Sequence, residues 1–175
     1  MALPRTISSS FITLAGEKKC IPSTSAGRAG STAGAARQAD PDRKVMPALH
    51  LIAVVAQGYP GPARKYRLQM PDSVIERVAG WAEQKGWILF LDIQPGLSSV
   101  EAEIPHLVKY LSRPYVHLAL DPEFAMKDGK KPGTDWMGRM DATEVNHAIG
   151  EEAAQNCAHR ADEDGHPQRD VLLSR

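Results

Sequence analysis

Cysteine is nearly missing from this 175-residue chain: Cys20 and Cys157 stand far apart in polar surroundings. They allow one bridge at most, whereas a disulfide-built scaffold uses several within a shorter chain. Net charge is missing as well. Lys+Arg and Asp+Glu number 21 each, so there is no electrostatic case for a nucleic-acid partner, which needs a clustered basic face. No run approaches the ~18 apolar residues that a transmembrane segment requires. There is no Gly-x-Gly-x-x-Gly, phosphate loop or Gly-x-Ser-x-Gly elbow, which leaves nucleotide binding and serine hydrolysis without a motif. Metal motifs are equally thin. His147, Cys157 and His159 match no closed zinc spacing, and Asp162-Glu-Asp-Gly165 lacks the glycine position and terminal glutamate of a calcium loop.

What is present is an alternation of strand-like and helix-like stretches, centred on Trp87 to Glu123. Two apolar runs, Trp87-Ile-Leu-Phe-Leu-Asp92 and Tyr115-Val-His-Leu-Ala-Leu-Asp121, each end on an aspartate followed within three residues by proline. Between them, Val100, Ile104, Leu107, Val108 and Leu111 recur at helical spacing, with Ser98 or Ser99 as the cap and Glu101 and Glu103 expected to face outward. Pro105 is expected to kink this helix or split it in two. An earlier strand is predicted over Val45 to Val55, then a locally basic loop with Arg64, Lys65 and Arg67. A helix capped by Asp72 or Ser73 follows and ends at Lys85-Gly86. Asp141 and Glu144 have capping-box spacing and open a last helix through Val145, Ala148 and Ile149, before the pattern dissolves near Asn156.

Three domains of behaviour follow. Residues 1–43, rich in Ser, Ala, Gly and Thr, read as a disordered leader; 44–156 read as an α/β domain; 157–175 read as a polar tail. Phe11-Ile-Thr-Leu-Ala15 is too short for the apolar h-region of a secretory signal, and Glu17, Lys18 and Lys19 separate Leu14-Ala15-Gly16 from Cys20, which speaks against a lipobox. The domain is expected to hold about three parallel strands with helices on both sides. A closed barrel needs roughly eight strands and ~250 residues. Open sheet edges make self-association the expected behaviour of such a unit.

Several stretches together resemble a known family. They are Val45-Met-Pro47, Met70-Pro-Asp-Ser-Val-Ile75, Leu91-Asp-Ile-Gln-Pro-Gly96, Leu120-Asp-Pro-Glu123, and Gly138 with Met140-Asp-Ala142 to Asn146. The resemblance, over about residues 44–148, is to uncharacterised, mostly actinobacterial proteins, many of them secreted or lipoprotein-like, with a TIM-barrel-like α/β domain. It implies a partial TIM-barrel-like (βα) unit and an extracytoplasmic location. Members continue with further strands where this chain turns polar, so a truncated or frame-disrupted reading frame is expected.

Asp92, Asp121 and Glu123 are the candidate catalytic residues, because carboxylates at adjacent parallel strand ends can flank one glycosidic bond. They can equally hold a divalent cation through hard oxygens, although no motif requires that cofactor. The alternative is that each aspartate caps its own loop by accepting backbone amides. Gln94, His50, His117 and Trp136 are the candidate substrate-binding residues; each has a bland role open to it in turn, strand face or core. Two functional readings result: a carbohydrate-directed hydrolase-like domain or its relic, and a non-catalytic binding or structural module.

Overall fold

The computed structural model of the protein describes residues 11–14, 33–42, 44–134 and 136–163. Five strands form one open sheet: β1 (Phe11–Leu14), β2 (Ala48–Ala56), β3 (Arg67–Gln69), β4 (Ile88–Ile93) and β5 (Val116–Leu120). Four lie side by side in parallel, in the order β1-β2-β4-β5, and the short β3 runs antiparallel to the end of β2. The helices are α1 (residues 33–39), α2 (Asp72–Lys85), α3 (Val100–Leu111) and α4 (Ala142–Glu163). The sheet does not close into a barrel.

Side chains alternate across a strand, and here the alternation sorts the molecule into two unlike faces. Leu49, Leu51, Leu89, Leu91, Ile93 and Val116 share one buried core with Ile75, Val78 and Ala82 of α2 and with Ile104, Leu107 and Leu111 of α3. Both helices therefore cover the same face, not opposite faces as the sequence reading expected. The reason is strand order: β2, β4 and β5 are consecutive neighbours, and connections of one hand then deliver every crossover helix to one side. The opposite face carries the rows His50–Phe90–His117 and Ile52–Asp92–Ala119. A register shift in β2 between Ile52 and Val54 puts an extra residue just before the strand ends, where bulges re-aim side chains.

Several local expectations change. The basic loop contains β3, whose three residues Arg67–Gln69 pair with Val54 to Ala56; a strand so short has no alternation long enough to read. Pro71 is the N-cap residue of α2 and gives no side-chain cap, and Asp72 pairs instead with Lys109 of α3. Gly86 closes that helix in the left-handed region, φ 62°, as the Lys-Gly ending predicts. Ser99 caps α3 by accepting the Ala102 amide. The helix runs unbroken through Pro105, because proline there removes only one backbone donor while Ile104 and Leu107 anchor the turns on either side. Glu103, expected on the surface, is fully buried. The Asp141–Glu144 capping box forms reciprocally, each side chain accepting the other's backbone amide at 3.0 Å. Helix α4 continues to Glu163, past the Asn156 boundary. Within the stretch read as a leader, β1 and α1 are present; the other residues before 40, like 164–175 of the tail, lie outside the described residues.

Among the described residues β5 is an edge strand, and Glu152 of α4 accepts its Leu118 amide at 3.3 Å. No helix among the described residues is long and apolar enough to cross a membrane.

Gly80 sits inside α2, and a Cβ built there meets nothing within 4 Å. Mid-helix glycine costs about 0.8–1 kcal/mol relative to alanine, so packing gives no reason for it.

Candidate functional site

Four of the predicted side chains come together near the C-terminal ends of β4 and β5, with His50 reaching Asp92 from within β2. Asp92, near the end of β4, is 4% exposed and lies beside His50 of β2, with Nε2 and Oδ2 3.1 Å apart. Gln94, just beyond β4, accepts the Ala56 amide of β2 on Oε1 at 3.2 Å and donates from Nε2 to Asp121 at 3.0 Å. Asp121 itself is fixed by its own amide, which donates to the Ile93 carbonyl at 3.1 Å. Gln94 is thus a bridge spanning three strand ends, and the register that aligns Ile93 with Leu120 places it to do so. The other oxygen of Asp92, Oδ1, is buried without a hydrogen-bond partner among the described residues.

Burial pushes the Asp121 carboxyl above its ordinary range, and the charges of Asp92 and Glu123 add to this; the Gln94 amide and His50 oppose it. Glu123 is exposed and follows Asp121 through Pro122 into a short 3-10 turn. A carboxyl that holds its proton more tightly when folded adds stability on the acid side, and that stability is lost as pH rises through the folded value. Asp121→Asn, which keeps an acceptor for Gln94, removes this loss. Its melting temperature relative to wild type is expected to climb as pH rises from about 4, the ordinary aspartate value. A flat difference across that range would show that Asp121 is not perturbed.

The remaining predicted residues are placed elsewhere. His117 shares the strand row of His50 but sits at the edge, its Nδ1 3.2 Å from Glu152 of α4 and its ring 5.7 Å from that of Phe90. Trp136 is 47% exposed, with Lys130 Nζ 4.4 Å from its ring centre, over a shallow hollow of Lys130, Lys131 and Thr134.

Two groupings, one buried and one half-buried, are not among the site residues expected from the sequence. Glu103 of α3 accepts Arg67 Nε at 2.8 Å and Gln69 Nε2 at 2.6 Å, tying α3 to β3. Its signal was available: Glu103 lies three residues after Val100 and four before Leu107, on the apolar stripe itself. Glu152, which reaches both His117 and the Leu118 amide, had no such signal. A cleft of about 760 Å³ opens at the other ends of the strands, between Trp87, Tyr115 and α2, away from the carboxylate rim.

Among the described residues no group of three or more His, Cys, Asp or Glu is set to hold a metal ion. Compared with protein-family models, curated proteins and solved structures, the chain matches none, so its own geometry carries the functional reading.

Proposed function

We propose that this chain is a non-catalytic α/β module whose strand-end polar residues hold its strands and loops together. The supporting observation is that Gln94 is consumed on both sides, by the Ala56 amide and by Asp121, while His50 faces Asp92. Side chains so engaged are cross-links between strand ends. Gln94→Ala strands the Ala56 amide and one Asp121 oxygen, and is expected to cost about 1–3 kcal/mol in urea denaturation. The purified full chain is expected to turn over no aryl glycoside or polysaccharide. Turnover by the wild type that disappears in Asp121→Asn would overturn the reading.

A second reading has one observation in its favour. A carboxyl raised by burial and by neighbouring acids, as Asp121 is, is the state a general acid needs. Consecutive parallel strands with their helices on one face also suit a partial TIM-barrel-like (βα) unit, in which strand C-terminal ends carry the chemistry. On that reading the domain is a carbohydrate-directed hydrolase-like unit, or its relic, with Asp121 as acid and Asp92 as the second carboxylate. The same glycoside assay separates the two.

A further inference from the structure

The cleft at the N-terminal strand ends has properties that the fold does not explain. Its walls are Trp87, which precedes β4, and Tyr115, which precedes β5; its floor is one stripe of α2, Glu76, Gly80 and Glu83. These three residues are spaced four and three apart and so share a helix face. Gly80 leaves open space where any other side chain would project, and helix stability alone favours alanine there. The cleft's volume, about 760 Å³, falls in the range of small-ligand sites.

Charge selects the class of ligand. Arg113 is the guanidinium of the cleft, and Glu76 holds it through two hydrogen bonds of 2.9 and 2.8 Å from one nitrogen. An anion entering the cleft would have to compete with that carboxylate. Glu83 makes no ion pair among the described residues, and the other basic lining residue, His117, faces Glu152, so the described lining carries an uncompensated negative charge. A carboxylate in a cleft that indole and phenol side chains also line favours a cation with an apolar body, since aromatic rings attract positive charge.

We infer that the cleft between Trp87, Tyr115 and the Glu76–Gly80–Glu83 face of α2 binds a small organic cation of the substituted-ammonium class. The inference does not rest on the reading of the strand-end rim, and the two fail separately. Benzyltrimethylammonium is the probe and sodium benzoate the control of opposite charge, each titrated into the full chain labelled with ¹⁵N at tryptophan. The cation is expected to shift the Trp87 indole resonance saturably, and benzoate is expected to leave it in place. Gly80→Leu, which fills the floor, should weaken binding tenfold or more. Glu83→Gln alters an exposed side chain without touching the core, and should weaken it at least threefold. Asp121→Asn, at the far ends of the strands, should leave it unchanged. No saturable shift with the cation, an equal shift with benzoate, or undiminished binding by Glu83→Gln would each overturn the inference.

Discussion

Glu103→Ala is expected to lose about 3–5 kcal/mol of folding stability, the range for removing one partner from a buried ion pair. Glu103 is fully buried, and it accepts from Arg67 on one oxygen and from Gln69 on the other. Truncation leaves the Arg67 guanidinium, 18% exposed at the side chain, without its counter-charge, and leaves the Gln69 amide without its acceptor. Against a total of roughly 5–15 kcal/mol for an ordinary domain, this is a large fraction. The urea midpoint at neutral pH measures it. Two further variants separate charge from shape. Glu103→Gln keeps the volume and an acceptor, and should cost about 1–3 kcal/mol. Replacing Glu103 and Arg67 together by methionine removes both charges, and should recover most of the loss, because an apolar pair of similar volume often matches a buried ion pair. A loss below about 1 kcal/mol in Glu103→Ala would show that the tie between α3 and β3 is not needed.

The exposed pairs between α2 and α3 differ in kind. Asp72 pairs with Lys109 and Glu76 with Arg113, and both acids are at least half exposed. Solvent screens them, and exposed pairs of this kind contribute little to stability. Burial, not the number of ion pairs, decides which carboxylate matters.

Periodicity accounts for what could be read in advance. Strands β2, β4 and β5 are apolar runs bounded by Gly and Pro, and α2 and α3 carry apolar stripes with recognisable ends, so their existence and order followed from spacing. Two things broke the pattern. β3 is three residues long, shorter than any alternation that could reveal it, and it is held by Arg67 and Gln69 reaching Glu103, not by an apolar face. The charge of Glu103 points outward, whereas its spacing from Val100 and Leu107 points inward. At the rim, the ends on Asp92 and Asp121 were visible, because each closes an apolar run before a proline. That Gln94 would bridge Asp121 to the Ala56 amide was not visible, since it depends on the register between strands that are 27 and 38 residues apart along the chain. His50 beside Asp92 depends on register in the same way. Which helices share a face depends on strand order, and local sequence does not encode it.

Gly96→Ala is expected to cost about 2–5 kcal/mol, because two penalties meet at one residue. Its φ of 61° lies in the left-handed region, where a Cβ adds roughly 1–2 kcal/mol. That Cβ would also lie 2.5 Å from the Tyr66 carbonyl oxygen and 2.7 Å from that of Lys65, and forcing extra volume into packed structure costs about 1–3 kcal/mol. Neither backbone atom can step aside easily. Gly96 donates to Phe124 and accepts from Met126, while the next amide, Leu97, donates to Lys65. The segments following β2, β4 and β5 are therefore sewn together at this glycine, two residues from Gln94. Two other glycines isolate the terms. Gly86 has φ 62° with nothing within 4 Å of its Cβ, and Gly138 meets the Ala125 backbone at 2.5–2.6 Å without a left-handed φ. Gly86→Ala should show the conformational cost alone, Gly138→Ala the steric cost alone, and Gly96→Ala about their sum, read from thermal or urea melts of the three variants. Should Gly96→Ala cost no more than Gly86→Ala, the loops beyond the strands can part without penalty, and the rim that holds Asp92, Gln94 and Asp121 is looser than this geometry requires.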